Sequence, residues 1–353
     1  MRKAAIAIVI LVLGALGGWL YFWWEDRQLT QFAQRPSGPP GPTLIDIPQG
    51  SGPRSVANLL AKAGLTSSAD QFYAYLRREK TGPRLKAGEY QFTGPLTPAQ
   101  IAEKIASGQV RVYHFTVPEG LRTEEILPIL AQSDLKLDLN KLRTLSEDKA
   151  FLQRIGVPAE SAEGFLFPDT YTFTRGYTPE AVLGKMVART LEEYRKADAR
   201  RKPRNTLNLL QTITLASIVE KETGAPDERP RISCVFHNRL RLGMKLGTDP
   251  TVLYAMKLIR GTFINNITSK DLVTPHPYNT YTTHGLPPGP IASPGAAAIQ
   301  AALTPIECRD LYFVSRNDGT HEFCPDLRCH NTAVERWQRE YFRQRRKDTA
   351  QAR

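Results

Sequence analysis

Two glutamates stand two residues apart at the end of an apolar run, in Ser217-Ile218-Val219-Glu220-Lys221-Glu222-Thr223. A carboxyl group set into apolar surroundings loses hydration, which disfavours its charged form and suits it to general acid work near neutral pH. With residues 208–223 read as a helix advancing about 100° per residue, Leu209, Ile213, Ala216 and Glu220 fall in one narrow stripe. Glu220 thus continues the buried face. Glu222 lies about 200° further round, with the polar surface, and Lys221 also points away. The alternative for Glu220 is a structural ion pair with Arg239 or Arg241. Ser217 is a poor nucleophile: no Gly-x-Ser-x-Gly encloses it and no Ser-x-x-Lys starts at it. Phosphate-binding glycine loops, Cys-x-x-Cys and His-Glu-x-x-His are absent, so neither cofactor nor metal chemistry is expected.

The elements that must position this pair are legible in outline. From about Arg111 the chain reads as one larger domain of helices and short strands. Its segment Gly285-Leu286-Pro287-Pro288-Gly289-Pro290 is too stiff and donor-poor for a helix, and is expected to be an ordered loop. Upstream lies a small α+β module over 44–110. Leu44-Ile45-Asp46-Ile47 reads as a strand, Val56, Leu59 and Leu60 as one helix face, and Phe72, Tyr75 and Leu76 as another. Gly88-Glu89-Tyr90-Gln91-Phe92 alternates like a strand, and a third helix opens at Thr97-Pro98 and closes at Ser107-Gly108. Ile47-Pro48-Gln49-Gly50 and Val117-Pro118-Glu119-Gly120 are each followed by a helical apolar pattern, so a strand, turn and helix unit occurs twice.

The N-terminus differs in kind. Ala4 to Trp24 carries no charge and ends in Trp19, Tyr21, Phe22, Trp23 and Trp24, an aromatic cluster suited to a lipid–water interface. It reads as a retained transmembrane anchor over 1–25, the alternative being a cleaved signal sequence. Arg2 and Lys3 precede the span and Glu25 and Asp26 follow it, which keeps the N-terminus cytoplasmic and places the rest beyond the membrane. Residues 26–43, with Pro36, Pro39, Pro40 and Pro42, read as a stiff linker. The net charge of +12 concentrates in 200–204 and in the tail from Arg343 to Lys347. With no base-stacking motif beside either run and a membrane span ahead, it implies anionic lipid or wall polymers rather than nucleic acid. Cys234, Cys308, Cys324 and Cys329 could pair in any of three ways outside the cytoplasm, or remain buried thiols.

Several stretches, in order, resemble the motifs of the YceG-like endolytic murein transglycosylases: Glu163–Tyr171, Leu215–Thr223, Val235–Met244, Leu246–Tyr254, Tyr278–Tyr281 and Gly285–Ile291. The resemblance extends from about Leu44 to about Glu335. It implies a single-pass inner-membrane protein with a LysM-like module over 44–110 and an α+β catalytic domain over 111–353 that lies in the periplasm. It further implies internal cleavage of peptidoglycan strands between N-acetylmuramic acid and N-acetylglucosamine, leaving 1,6-anhydro ends and limiting strand length. The family's catalytic glutamate falls on Glu220, and a membrane-bound peptidoglycan synthase is an implied partner.

Such a reaction needs only one carboxylate, because the sugar's own C6 hydroxyl attacks. Ordinary glycosidases use two carboxylates. Thr248, Asp249, Tyr278, Asn279 and Tyr281 are candidates for holding the strand, since amide and phenol groups donate to acetamides and hydroxyls and aromatic rings stack on sugars. For Thr248, Asp249 and Asn279 a turn or helix cap is the competing reading. Glu163 and Asp169 could line the cleft, although Phe165, Phe167 and Pro168 around them suggest core and turn. Two departures stand out: Cys324-Pro325-Asp326-Leu327-Arg328-Cys329 replaces a polar family segment before His330-Asn331, and His276 stands where a small residue is usual. The alternatives to a transglycosylase are a muramidase-type hydrolase, for which Asp249 would be the second carboxylate, and a wall-binding scaffold without activity.

Overall fold

The computed structural model of the chain describes residues 2–343. Two compact units divide it, one running to Tyr113 and reclaiming Thr172–Gly176, the other holding His114–Tyr171 and the chain from Tyr177 onward.

The first unit begins with α1 (Arg2–Gln34), whose 33 residues make about 50 Å of helix at 1.5 Å per residue. Its stretch Ile8–Gln34 is long and apolar enough to cross a membrane. The helix does not stop at residue 25. No proline or glycine interrupts residues 25–34, and Phe32 buries its ring in the core of the unit. Arg78 secures this last part, donating to the Asp26 carboxylate at 3.1 Å and the Thr30 hydroxyl at 2.9 Å. Residues 26–34 are therefore helix where a linker was expected, and Ser37 bridges Leu96.

There follow β1 (Pro42–Ile47), α2 (Pro53–Lys62), α3 (Ala69–Arg78), β2 (Gly88–Thr93) and α4 (Pro98–Ser107). β1 and β2 pair antiparallel, with Ile45 opposite Tyr90. Helix α4 starts at a Thr97/Gln100 capping box and ends at Gly108 with φ 76°, where a left-handed residue costs glycine nothing. Apolar faces of both strands and all three short helices meet in one core around Val56, Leu60, Phe72, Phe92 and Ile101. The next strand, β3 (Val112–Thr116), leads into the second unit and pairs with the later β4.

The second unit contains α5 (Thr123–Gln132), α6 (Leu139–Glu147), α7 (Lys149–Arg154), β4 (Thr170–Thr174, in part), α8 (Pro179–Asp198) and α9 (Leu209–Glu222). After these come α10 (Arg229–Arg241), α11 (Asp249–Arg260), α12 (Ser269–Val273), α13 (Ala296–Leu303), the hairpin of β5 (Tyr312–Ser315) and β6 (His321–Cys324), and α14 (Leu327–Val334). Residues 285–290 form an ordered loop without regular structure. The basic run from Gln344 to Lys347 lies outside the described residues.

Helix α9 is the centre of this unit. It packs on α13, α10 and α11, and every residue from Thr212 to Val219 is buried. A single apolar stripe therefore understated it. The hydroxyls turned inward are satisfied within the helix, Thr212 on Asn208 O at 2.8 Å, Thr214 on Leu210 O at 2.7 Å and Ser217 on Thr214 O at 2.7 Å.

All four cysteines pair: Cys234 of α10 with Cys308, 74 residues apart, and Cys324 of β6 with Cys329 of α14, 5 apart. The second bond closes the start of α14, where Asp326 also accepts from Cys329 N at 2.9 Å. This gives the unusual 324–329 segment a structural use. On chain-entropy grounds, loss of the long-range bond should cost about 4 kcal/mol and loss of the short one about 2 kcal/mol. Cys308→Ser is thus expected to lower the urea midpoint about twice as far as Cys329→Ser, and equal losses would show that loop length does not govern them.

Candidate active site

The apolar run of α9 carries Glu220 to the end of a helix whose other faces are already covered. Its side chain is only 6% exposed. One oxygen accepts from Arg229 Nη2 at 2.8 Å and the other from the backbone N–H of Gly295 at 3.0 Å. Arg229 is the first residue of α10 and is itself buried. Gly295 is the N-cap of α13, so the carboxylate also faces the positive end of that helix. The ion pair is with Arg229, not with Arg239 or Arg241. Arg239 instead donates to the carbonyls of Leu311 and Leu246.

A second carboxylate shares this arginine. Glu119, in the turn after β3, lies 3.4 Å from the same Arg229 Nη2. Burial first, and then the charge of Glu220, push its carboxyl above the ordinary range, while Arg229 pulls the other way. The turn is pinned by Gly120 N on Ser293 O at 2.9 Å, Ser293 N on Leu121 O at 2.8 Å and Lys221 Nζ on Gly120 O at 3.2 Å. A side chain at Gly295 would overlap the Glu119 carboxylate. Reading the sequence found neither Arg229 nor Gly295, and took Val117-Pro118-Glu119-Gly120 only as a turn. The repeated turn motif marked the place without its chemistry.

Glu222 is not on a polar surface. It is half-buried and accepts from the Thr248 hydroxyl. Burial is the main reason its carboxyl is pushed up to about 7, with the nearby charge of Asp249 adding to it and Thr248 and Arg239 opposing it. The helical projection failed because α11 begins beside the last turn of α9 and covers the side that would otherwise face water. Thr248 is the N-cap of α11, and its N–H donates to Thr280 Oγ1 at 3.1 Å. Asp249 is exposed and accepts from the Tyr281 phenol at 2.8 Å. Glu222, Thr248, Asp249 and Tyr281 are thus linked in one group, on the other side of α9's end from Arg229.

The remaining candidates separate. Asn279 is completely buried. Its amide nitrogen donates to the carbonyls of Asp271, Leu272 and Thr274 at 3.1, 3.2 and 2.8 Å, and its oxygen accepts from Tyr281 N at 3.0 Å. The side chain holds a loop together and has nothing left to offer a sugar. The Tyr278 ring packs against that of Tyr254 at a tilt of 50°, with centroids 4.9 Å apart. It lines a cavity of about 440 Å³ together with Glu163, Pro288 and Pro290. Glu163 is pushed up to about 7 by burial, although Thr123 N donates to it at 3.1 Å. Asp169 pairs with Arg189 at 3.1 Å. His276 Nδ1 accepts from Tyr278 N at 3.2 Å and so closes the turn ahead of that ring. Ser217 Oγ accepts from Ile291 N at 3.0 Å and is committed to the loop. Among the described residues no group of three or more His, Cys, Asp or Glu is placed to hold a metal ion.

Residues 45–336 match the sequence model of the YceG-like family. An endolytic murein transglycosylase of Bacillus subtilis is 32% identical over 311 residues, covering 83% of this chain and 84% of that protein. One of Streptococcus pneumoniae is 28% identical over 77% of this chain, which spans 54% of its length. A crystal structure of a yceG-like protein from Listeria monocytogenes superposes with a TM-score of 0.55 at 29% identity, covering 82% of this chain and 98% of that one.

Because folding raises the affinity of Glu222 for its proton, the stability tied to that proton is full below the unfolded value near 4 and is lost as pH rises through about 7. Glu222→Gln keeps the shape and removes the titration. It is expected to gain on the parent protein between pH 5 and pH 8 by on the order of 1–3 kcal/mol, read from thermal midpoints across that range. A gap that does not widen with pH would refute this.

Proposed function

The chain belongs to the YceG-like family, and from that membership we propose that it is an endolytic murein transglycosylase, a lyase that cuts peptidoglycan strands internally. The observation that carries the reading is Glu220: the motif glutamate is withdrawn from water at the end of a buried helix and gripped on both oxygens.

In the reaction, the protonated Glu220 gives its proton to the oxygen that leaves with N-acetylglucosamine. The C1–O bond of N-acetylmuramic acid breaks, and the C6 hydroxyl of the same sugar attacks C1. Its proton passes to the Glu220 carboxylate, restoring the acid, and a 1,6-anhydro ring closes. No water is consumed. Attack within one sugar gains an effective molarity of roughly 10⁵ M or more when well oriented. Arg229 and the Gly295 N–H steady the carboxylate in the interval when Glu220 is charged. Tyr281 and Asp249, exposed beside the end of α9, are the side chains best placed to hold the strand, and Tyr278 offers a ring at the separate cavity.

In this reading α1 is a single-pass anchor, with Arg2 and Lys3 on the cytoplasmic side and the chain beyond the span in the periplasm. The strand–helix–helix–strand order of β1, α2, α3 and β2 suits a LysM-like module that grips glycan. The anchor would hold the enzyme where membrane-bound synthases deliver new strands, which makes such a synthase its natural partner. A second reading has a specific basis: Glu119 beside Arg229 could serve as the second carboxylate of a muramidase, a place Asp249 does not occupy.

Full-length protein in detergent, given uncrosslinked glycan strands, is expected to yield anhydro-muramyl ends by mass spectrometry. Glu220→Gln should reduce them at least 10²-fold. Reducing ends would establish the hydrolase instead, and strands bound but left uncut would leave only a scaffold.

A further inference from the structure

Glu220 must carry a proton to start the reaction, yet the nearest charge to it is a buried arginine at 2.8 Å that favours the ionised form. Something has to offset that arginine. The groups facing the Glu220 carboxyl are Arg229 from α10, the Gly295 N–H at the start of α13, and Glu119 from the turn after β3, while Lys221 turns its ammonium to Gly120 O. Glu119 is the only negative charge among them. It approaches the same nitrogen, Arg229 Nη2, that Glu220 uses. Its half-exposed carboxylate also lies against Gly295, in space a Cβ would fill.

We propose that Glu119 is a positioning residue for the transglycosylase: by competing for Arg229 Nη2 it divides the arginine between two carboxylates and so offsets the positive charge that Glu220 faces. The inference rests on Glu220 being the general acid. Glu119 touches no reacting atom; it sets how much of the Arg229 charge Glu220 feels. Burial first, and then the charge of Glu220, push the Glu119 carboxyl up against the pull of Arg229. The backbone bonds between Gly120 and Ser293 and between Ser293 and Leu121 fix the turn so that this balance does not drift.

The test is the pH profile of anhydro-end formation by full-length protein in detergent with uncrosslinked strands. Activity of the parent protein should fall as pH rises and Glu220 loses its proton. In Glu119→Gln, Arg229 faces Glu220 alone, so the same fall is expected at lower pH, displaced by about one pH unit, with activity on the acid side largely kept. Glu119→Asp, which keeps the charge, should return the limb toward its original position. A limb that does not move, or an equal loss at every pH, overturns the proposal, because a purely structural role predicts one of those. Should Glu119→Gln fail to fold, Glu119→Ala, which also removes the charge, is read in its place: an acid-ward displacement of the limb supports the proposal and an unmoved limb overturns it. Parent protein that makes no anhydro ends refutes the function; parent protein that does, with Glu220→Gln dead and the Glu119→Gln limb unmoved, refutes only this role.

Discussion

Withdrawing a carboxylate from water costs several kcal/mol unless charge and hydrogen bonds replace what water supplied, and the second unit is arranged around meeting that cost at Glu220. Arg229 supplies the charge and Gly295 the N–H. Each requirement places an element. Helix α10 must start close enough for a guanidinium to reach the end of α9. Helix α13 must begin with a free N–H directed at the same carboxylate, and its first position must be small because Glu119 occupies the space beside it.

The interior of α9 follows from the same constraint. A helix that brings an acid into the core must be buried on all sides, so its polar residues have to satisfy themselves. Thr212, Thr214 and Ser217 do this by bonding back to carbonyls one turn earlier. Ser217 then accepts from Ile291 N as well, tethering the proline-rich loop to the helix. That tether is how the loop reaches Tyr278 and Glu163 around the cavity.

Glu163, Glu220 and Glu222 are each drawn away from water, and their surroundings differ. Glu163 and Glu222 have hydrogen-bond donors but no ion pair among the described residues, and both are pushed up to about 7 by burial. Glu220 alone combines a buried arginine with a backbone donor. Glu163 and Glu222 therefore change charge as the pH passes through about 7. Glu220 instead sits between an arginine and the second carboxylate that shares it.

The sequence by itself determined what depends on neighbours a turn or two away. The membrane-length apolar segment, the strands read at 44–47 and 88–92, the helix opening at Thr97 and the helix bearing Glu220 are all written in local periodicity and capping residues, since those forces act over three or four positions. The motif glutamate was legible for the same reason. What it could not carry were the partners: Arg229 stands 9 residues from Glu220, but Gly295 stands 75 away, and Glu119 is 110 from the arginine they share. Whether Glu222 faced water depended on α11 passing beside it, and whether Asn279 met a ligand or a loop depended on three carbonyls brought to it by the turn. The pairing of Cys234 with Cys308 across 74 residues is of this kind too. Burial and ion pairing are properties of a packed interior, and only the tertiary structure decides which distant segments share it.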